Sequence, residues 1–145
     1  WPVASLRFCY FRRTATLRTN IAKFQIADID YTLCTHYVYG YAQIDNISRT
    51  IVAQDPTTEE GTDGLYRQFV TAKIRFPSIK TMLSLGGPGI EAVRQLESMG
   101  RNDMILQGVA LSVVPFLRMR GFDGLEVDWA TYTETAKNTH ARLLT

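Results

Sequence analysis

An α/β fold with parallel strands is predicted by three observations. Strand-like and helix-like segments alternate along the chain, no repeat or low-complexity linker interrupts them, and 46% of the 145 residues are hydrophobic against 21% charged. That balance supplies enough apolar material for a core and belongs to a folded domain, not to a disordered or fibrous chain.

The elements follow in order. Leu6 to Phe11 predicts the first strand, and a short helix or turn lies around Ile26 to Thr32. Tyr37 to Ile44, rich in Tyr and Val, predicts the second strand. Asp45 to Gly61 holds Pro56 among Thr, Glu and Asp residues and predicts a surface loop. Leu65, Phe69, Ala72 and the run to Phe76 have helical spacing, and Pro77 ends that helix. Thr81 to Leu85 predicts a third strand that stops at the turn Gly86-Gly87-Pro88-Gly89. Two helices are expected next, Glu91 to Met99 and Asp103 to Met119, separated by Gly100, and Pro115 should kink or split the second. Gly121 stops it, Leu125 to Trp129 forms the fourth strand, and Glu134 to Leu144 a last helix.

Four βα units make half of an eight-unit barrel, so the chain predicts the N-terminal half of a TIM (β/α)₈ barrel, with residues 1–145 as one partial domain. Such a sheet leaves its first and fourth strands unpaired and apolar surface open, which predicts a fragment of a larger barrel or a need for a partner, self-association included. The competing architecture is an open doubly wound sheet, for which four or five units suffice.

Charge excludes some functions. The formal net charge is +2, and the 16 Lys and Arg are interspersed with 14 acids, so nothing points to nucleic acid. Arg12 and Arg13 are a local pair, read as a solvated loop. No window is apolar enough for a membrane span, and no signal peptide is evident. The chain begins at Trp1 without a Met, which predicts that an upstream segment has been removed or omitted. Cys9 and Cys34 lie near the ends of neighbouring strands, where a disulfide and two free buried thiols are both open readings. A disulfide would place the chain in an oxidising compartment. Asn46-Ile47-Ser48 is a glycosylation sequon, compatible with secretion. His36 reads as a hydrogen-bonded core histidine, since no second ligand is spaced for a metal, and no metal or cofactor is expected. Gly86 to Gly89 could serve as a phosphate loop, but it lacks both G-x-G-x-x-G and a following Lys-Ser/Thr.

The stretch Phe122 to Ala130 carries the chemistry. Side chains alternate along a strand, so Glu126, Asp128 and Ala130 share one side while Leu125, Val127 and Trp129 share the other. The apolar set would pack beneath outer helices, and the flanking Gly121 and Gly124 suggest a strand buried on both faces. The acids would point into the barrel, where two close carboxylates raise each other's pKa and can share a proton. A strand face exposed to water, with idle carboxylates, is the plainer alternative.

This stretch, FDGLEVDWA, resembles the D-x-x-D-x-D-x-E signature of family 18 glycoside hydrolases. Asp123, Glu126 and Asp128 fall on the three aspartate positions, and Ala130 stands where the glutamate belongs. FCYF at Phe8 to Phe11, CTHYVYGYA at Cys34 to Ala42 and KTMLSLGG at Lys80 to Gly87 resemble the family's first three strands, in the right order. The resemblance implies a secreted protein, a Cys9–Cys34 disulfide and a cleft for chitooligosaccharide lined by Tyr10, Tyr41, Gly86 and Gly87. It implies substrate-assisted retention, in which the glutamate protonates the glycosidic oxygen and the sugar's own acetamido carbonyl attacks the anomeric carbon. Asp128 would then hold the acetamido group, with Glu126 and Asp123 tuning it.

Ala130 has no proton to give, and general acid catalysis is worth about 10²–10⁴-fold in rate. Glu126 lies four residues back, roughly 13 Å at strand rise, too far to substitute. Arg12, Arg13 and Thr14 occupy a region where the family's chitinases place a Trp, and Pro88 follows SLGG where another is usual, so the grip on chitin should weaken. Tyr39, by contrast, reads as barrel filling. The run CTHYVYGYAQI, with GLYRQF at Gly64 to Phe69, is most similar to the imaginal disc growth factor branch, chitinase-like proteins of arthropods that have also lost the glutamate. Asp128 departs from that branch, which often lacks it. The sequence therefore predicts a chitinase-like protein that binds a glycan or a cell-surface receptor without hydrolysis. Its alternative is a truncated or inactivated true chitinase acting on β-1,4-linked N-acetylglucosamine.

Overall fold

A computed structural model describes residues 5–130 and 133–144. Five strands and five helices follow one another as β1 (Phe8–Arg12), β2 (His36–Asp45), β3 (Thr50–Ala53), α1 (Pro56–Glu59), α2 (Leu65–Arg75), β4 (Lys80–Gly86), α3 (Ile90–Arg101), α4 (Asp103–Arg120), β5 (Gly124–Asp128) and α5 (Glu134–Leu144). Three short 3₁₀ turns, at Arg13–Leu17, Asn20–Ala22 and Ile26–Asp28, fill the span between β1 and β2.

Strands β1, β2, β4 and β5 lie side by side in that order, all parallel, with β3 antiparallel to the end of β2. A doubly wound sheet reverses its strand order at a switch point. This sheet advances in one direction only, as a barrel wall does.

The two faces of the sheet differ in what covers them. On the helix side Phe11 and Tyr39 meet Tyr66 and Phe69 of α2 and Phe122 before β5, with Tyr39 to Tyr66 at 5.0 Å between centroids and Tyr39 to Phe69 at 5.4 Å. Leu83, Leu85, Leu96 and Val109 complete this core. Edge-to-face rings add about 0.5–1.5 kcal/mol per pair beyond the area they bury. The other side carries Phe8 and Tyr10, which remain 46% and 58% exposed on the outer strand.

Several expectations change. The loop predicted for Asp45 to Gly61 contains β3 and α1, because Ile51 and Ala53 alternate inward and pair with Ile44 and Ala42 of β2. Gly100 does not divide two helices. It lies within α3 against Thr139 of α5, and the break falls at Asn102, whose side chain caps the Met104 and Ile105 N–H groups at 3.0 and 3.3 Å. Pro115 does not split α4, which runs unbroken to Gly121. Its ring is exposed, and the carbonyl it deprives belongs to Leu111 on the same solvent side. β5 is half-buried along its length instead of enclosed on both faces, since it ends the row of described strands. Tyr39 does not fill the barrel interior but lies on the helix side, its hydroxyl donating to the buried Glu59 at 2.9 Å. Nor are Arg12 and Arg13 a loop pair. Arg12 ends β1, whereas Arg13 is largely covered and faces Asp55 at 3.4 Å and Glu59 at 3.8 Å.

Cys9 and Cys34 form a disulfide, their Cα atoms 6.0 Å apart. It ties β1 to the entry of β2 across 25 residues that hold only short turns. By loop-closure entropy such a link is worth about 3 kcal/mol. Replacing both cysteines with Ala should lower the unfolding free energy by that amount in guanidinium titrations, with a steeper transition as the unlinked unfolded chain expands.

Candidate functional site

The site lies at the C-terminal ends of the parallel strands. Register places Arg12, Gly40, Ser84 and Glu126 in one row across the four strands, with Gly86 opposite Asp128 in a row above. Side chains at matching positions of parallel neighbours share a face, so Ser84, Glu126 and Asp128 project away from the helices on the side of Tyr10. The Ser84 hydroxyl donates to Glu126 Oε2.

Tyr41 reaches the same face by an irregularity. Alternation from Tyr37 and Tyr39 would send it toward the helices, but the pairing of β2 with β4 shifts between Gly40 and Ala42 and leaves Tyr41 as the extra residue. A bulge re-aims the side chain in this way. The Tyr41 phenol lies close enough to the Asp128 carboxylate to feel its charge.

Two glycines make room for this arrangement. Gly86 and Gly87 have φ of +109° and +105°, a region L side chains rarely adopt. A Cβ on Gly86 would collide with the Asp128 carbonyl, and one on Gly87 would press within 3.0 Å of the Tyr41 ring. The Gly87 N–H donates to the Asp128 carbonyl at 2.9 Å, closing the strand ends over the site.

Charges in the cluster bear on one another. Burial raises the Glu126 pKa, and the Asp128 charge adds to the rise against the Ser84 hydrogen bond. Burial also raises the Tyr41 phenol, with Asp128 adding and the Arg12 guanidinium opposing. The Tyr10 phenol is likewise raised, by desolvation and then by Glu126 and Asp128. Both tyrosines therefore remain proton donors at neutral pH. A carboxylate pair with phenol and hydroxyl donors can orient a polar N–H or O–H group and stabilise positive charge beside it.

Asp123 is not part of this cluster. It stands at the opposite end of β5, where it accepts from the Thr81 N–H at 2.8 Å and from Lys73 Nζ at 2.9 Å. Partial burial pushes its pKa up, but the Thr81 and Lys73 interactions outweigh that and hold it below the ordinary value. Ala130 follows β5 and is exposed. Asn46 sits exposed in the turn between β2 and β3, where the Asp45 carboxylate accepts from the Ile47 and Ser48 N–H groups at 3.1 and 3.3 Å. His36 is half-buried, its Nδ1 2.9 Å from Thr35 Oγ1 and its ring stacked on Phe8 at 4.6 Å.

Ser84 was not singled out from the sequence. A polar residue two positions before Gly86, in the otherwise apolar run MLSLGG, was the available signal, because period two puts both on one face. Lys73 and Thr81 offered none, since their partner is distant in sequence.

A one-directional parallel sheet, with carboxylates gathered at the C-terminal end of a strand, defines part of a (β/α)₈ barrel with its site at the usual mouth. The chain belongs to the family described as Glycosyl hydrolases family 18, which it matches over residues 7–145. It is 33% identical to mouse (Mus musculus) Chitotriosidase-1 over 131 residues, covering 89% of this chain and 26% of that protein. To the Chitinase-like protein Idgf4 of Glossina morsitans morsitans it is 30% identical over 146 residues, covering 93% of this chain and 32% of that protein. Among solved structures it superposes on the Ostrinia furnacalis Group IV chitinase with a TM-score of 0.79 at 30% identity, covering 94% of this chain and 38% of that one. Human YKL-39, described as a pseudo-chitinase with retained chitooligosaccharide binding properties, gives a TM-score of 0.80 at 26% identity, covering 94% of this chain and 36% of that one. The chain thus spans between 26% and 38% of the length of these four relatives. Among the described residues no helix is long and apolar enough to cross a membrane.

The position of Asp123 has a consequence for stability. Its pKa is depressed on folding from about 3.9. Its contribution is therefore present above that value and is lost as pH falls through the lower folded value. Asp123→Asn should cost about 0.5–1 kcal/mol at pH 7, solvent screening having weakened the partly exposed contacts, and the gap to wild type should close as thermal melts are moved below about pH 4.

Proposed function

We propose that residues 1–145 form one partial domain of a secreted family 18 barrel, a chitinase-like protein without hydrolytic activity that binds chitooligosaccharide or a related glycan, or a receptor. The observation that carries this reading is Ala130. Two positions past Asp128, a methyl group occupies the place of the proton donor, and losing that donor removes about 10²–10⁴-fold of rate. The Asp128 carboxylate and Tyr41 hydroxyl would take the acetamido group of an N-acetylhexosamine. Glu126, held by Ser84 and flanked by Tyr10, sets the charge beside it, and Gly86 and Gly87 let the sugar approach the backbone. Asp123 acts from a distance by fixing the pairing of β5 with β4.

Similarity to a pseudo-chitinase described as retaining chitooligosaccharide binding supports loss of turnover with binding kept. Similarity to the tsetse Idgf4 protein supports a chitinase-like role. The Cys9–Cys34 disulfide and the exposed Asn46 sequon support export through an oxidising compartment, with glycan attached at Asn46. Exposed Phe8 and Tyr10 on the outer strand support self-association of this piece through the open side of the sheet.

On a fluorogenic chitooligosaccharide the protein should show no turnover while binding chitotetraose by calorimetry. Hydrolysis at an ordinary chitinase rate, abolished by Asp128→Asn, would overturn the reading. The intact Ser84–Glu126 and Tyr41–Asp128 contacts favour a second reading, a true chitinase inactivated or truncated, that hydrolyses β-1,4-linked N-acetylglucosamine by substrate-assisted retention when whole. Ala130→Glu should then restore measurable hydrolysis in the full-length protein, and failure to do so rejects that alternative.

A further inference from the structure

We infer that the sugar unit adjoining the one at Asp128 carries a negative charge, a carboxylate or sulfate that the Arg12 guanidinium holds. This rests on the reading of the chain as a glycan binder and names the class of glycan.

Arg12 and Arg13 are consecutive, and the structure uses them differently. Arg13 is turned under the sheet end and spent on Asp55 and the buried Glu59. Arg12 emerges on the opposite face, in the row of Ser84 and Glu126, and its guanidinium lies 5.7 Å from the centre of the Tyr41 ring. Among the described residues no carboxylate pairs with it. The acid that lines this cleft is Glu91, which is exposed and faces Arg94 at 3.9 Å.

The cleft here has a volume of about 230 Å³ and is lined by Arg12, Thr14, Tyr41, Gln43, Gln54 and Gly87. Beside the Glu91 carboxylate, Pro88 and Ala92, its side chains are hydrogen-bonding groups, the unpaired Arg12 cation and a single aromatic ring. That ring already has a guanidinium near its face, so it offers a neutral pyranose little stacking surface. What the cleft does offer is the planar fork of Arg12, which matches carboxylate and sulfate oxygens with paired N–H donors. Tyr41 joins the two subsites, since its ring adjoins Arg12 and its phenol feels the charge of Asp128. A glycan spanning them would place an N-acetylhexosamine at Asp128 and an acidic sugar, or a sulfated one, immediately beside it.

Calorimetry with three tetrasaccharides tests this: neutral chitotetraose, one alternating N-acetylglucosamine with glucuronate, and 6-O-sulfated chitotetraose. At least one charged probe should bind about tenfold more tightly than the neutral one, as a charge-assisted contact provides. The tighter of the two tells a carboxylate ligand from a sulfate. Raising the salt concentration should erode the preference, Arg12→Gln should reduce the ratio to about one, Arg12→Lys should keep part of it, and Arg67→Gln, on the exposed face of α2, should leave it unaltered. Equal affinity for all three probes, or a preference that survives Arg12→Gln, overturns the inference while the protein remains a chitooligosaccharide binder. Failure of every probe to bind overturns the glycan-binding reading as well.

Discussion

The pairing of β4 with β5 is the constraint on which the site depends. It is fixed at both ends by hydrogen bonds: Asp123 accepting from Thr81 at the end away from the cleft, and the Gly87 N–H donating to the Asp128 carbonyl at the cleft itself. Between them Ser84 stands opposite Glu126 and Gly86 opposite Asp128. Because side chains alternate, a slip of one residue would carry both acids to the helix side and bring Leu125 and Val127 to the cleft. Burying two carboxylates beneath α4 would be far more costly than leaving them in water, so the hydrophobic pattern and the acid pattern enforce one register together.

The opposite face shows the same logic with a single exception. The aromatic layer of Phe11, Tyr39, Tyr66, Phe69 and Phe122 is the apolar bed on which α2 lies, yet Glu59 is buried beside it. Its carboxylate accepts from the Tyr39 hydroxyl and from the Asp55 N–H at 2.7 Å, with Arg13 close by, so the buried charge is not isolated. Burial nevertheless raises its pKa, and raises those of Tyr39 and Tyr66 around it. The network links the chain leaving β1 to the short helix after β3, elements far apart in sequence.

Much of this was legible in the residues. The strands carrying the core announced themselves by aromatic and β-branched runs, and the last helix by its spacing, because local propensity and burial agree there. β3 was hidden because four residues between turn-forming clusters look like loop until β2 supplies a partner. The family resemblance implies Tyr41 as a cleft residue, but the bulge that puts it there leaves no trace in the alternation of Tyr37, Tyr39 and Tyr41. The side on which Tyr39 lies is equally silent in the sequence, since which parity faces the helices is settled by packing. Asp123 belonged to the right motif and the wrong end: sequence spacing fixed its distance from Asp128, and only its contacts with Lys73 and Thr81 show what it holds.

The anchoring of Arg13 has an implication for how this surface can change through evolution. Because adjacent residues point to opposite sides, deleting Arg12 would bring Arg13 into its place on the strand. The guanidinium now clamped beneath the sheet would enter the ligand groove, and Glu59 would lose its counter-charge. Lineages can therefore swap the side chain at position 12 freely, tuning what the groove accepts, while the length of the segment around it stays frozen.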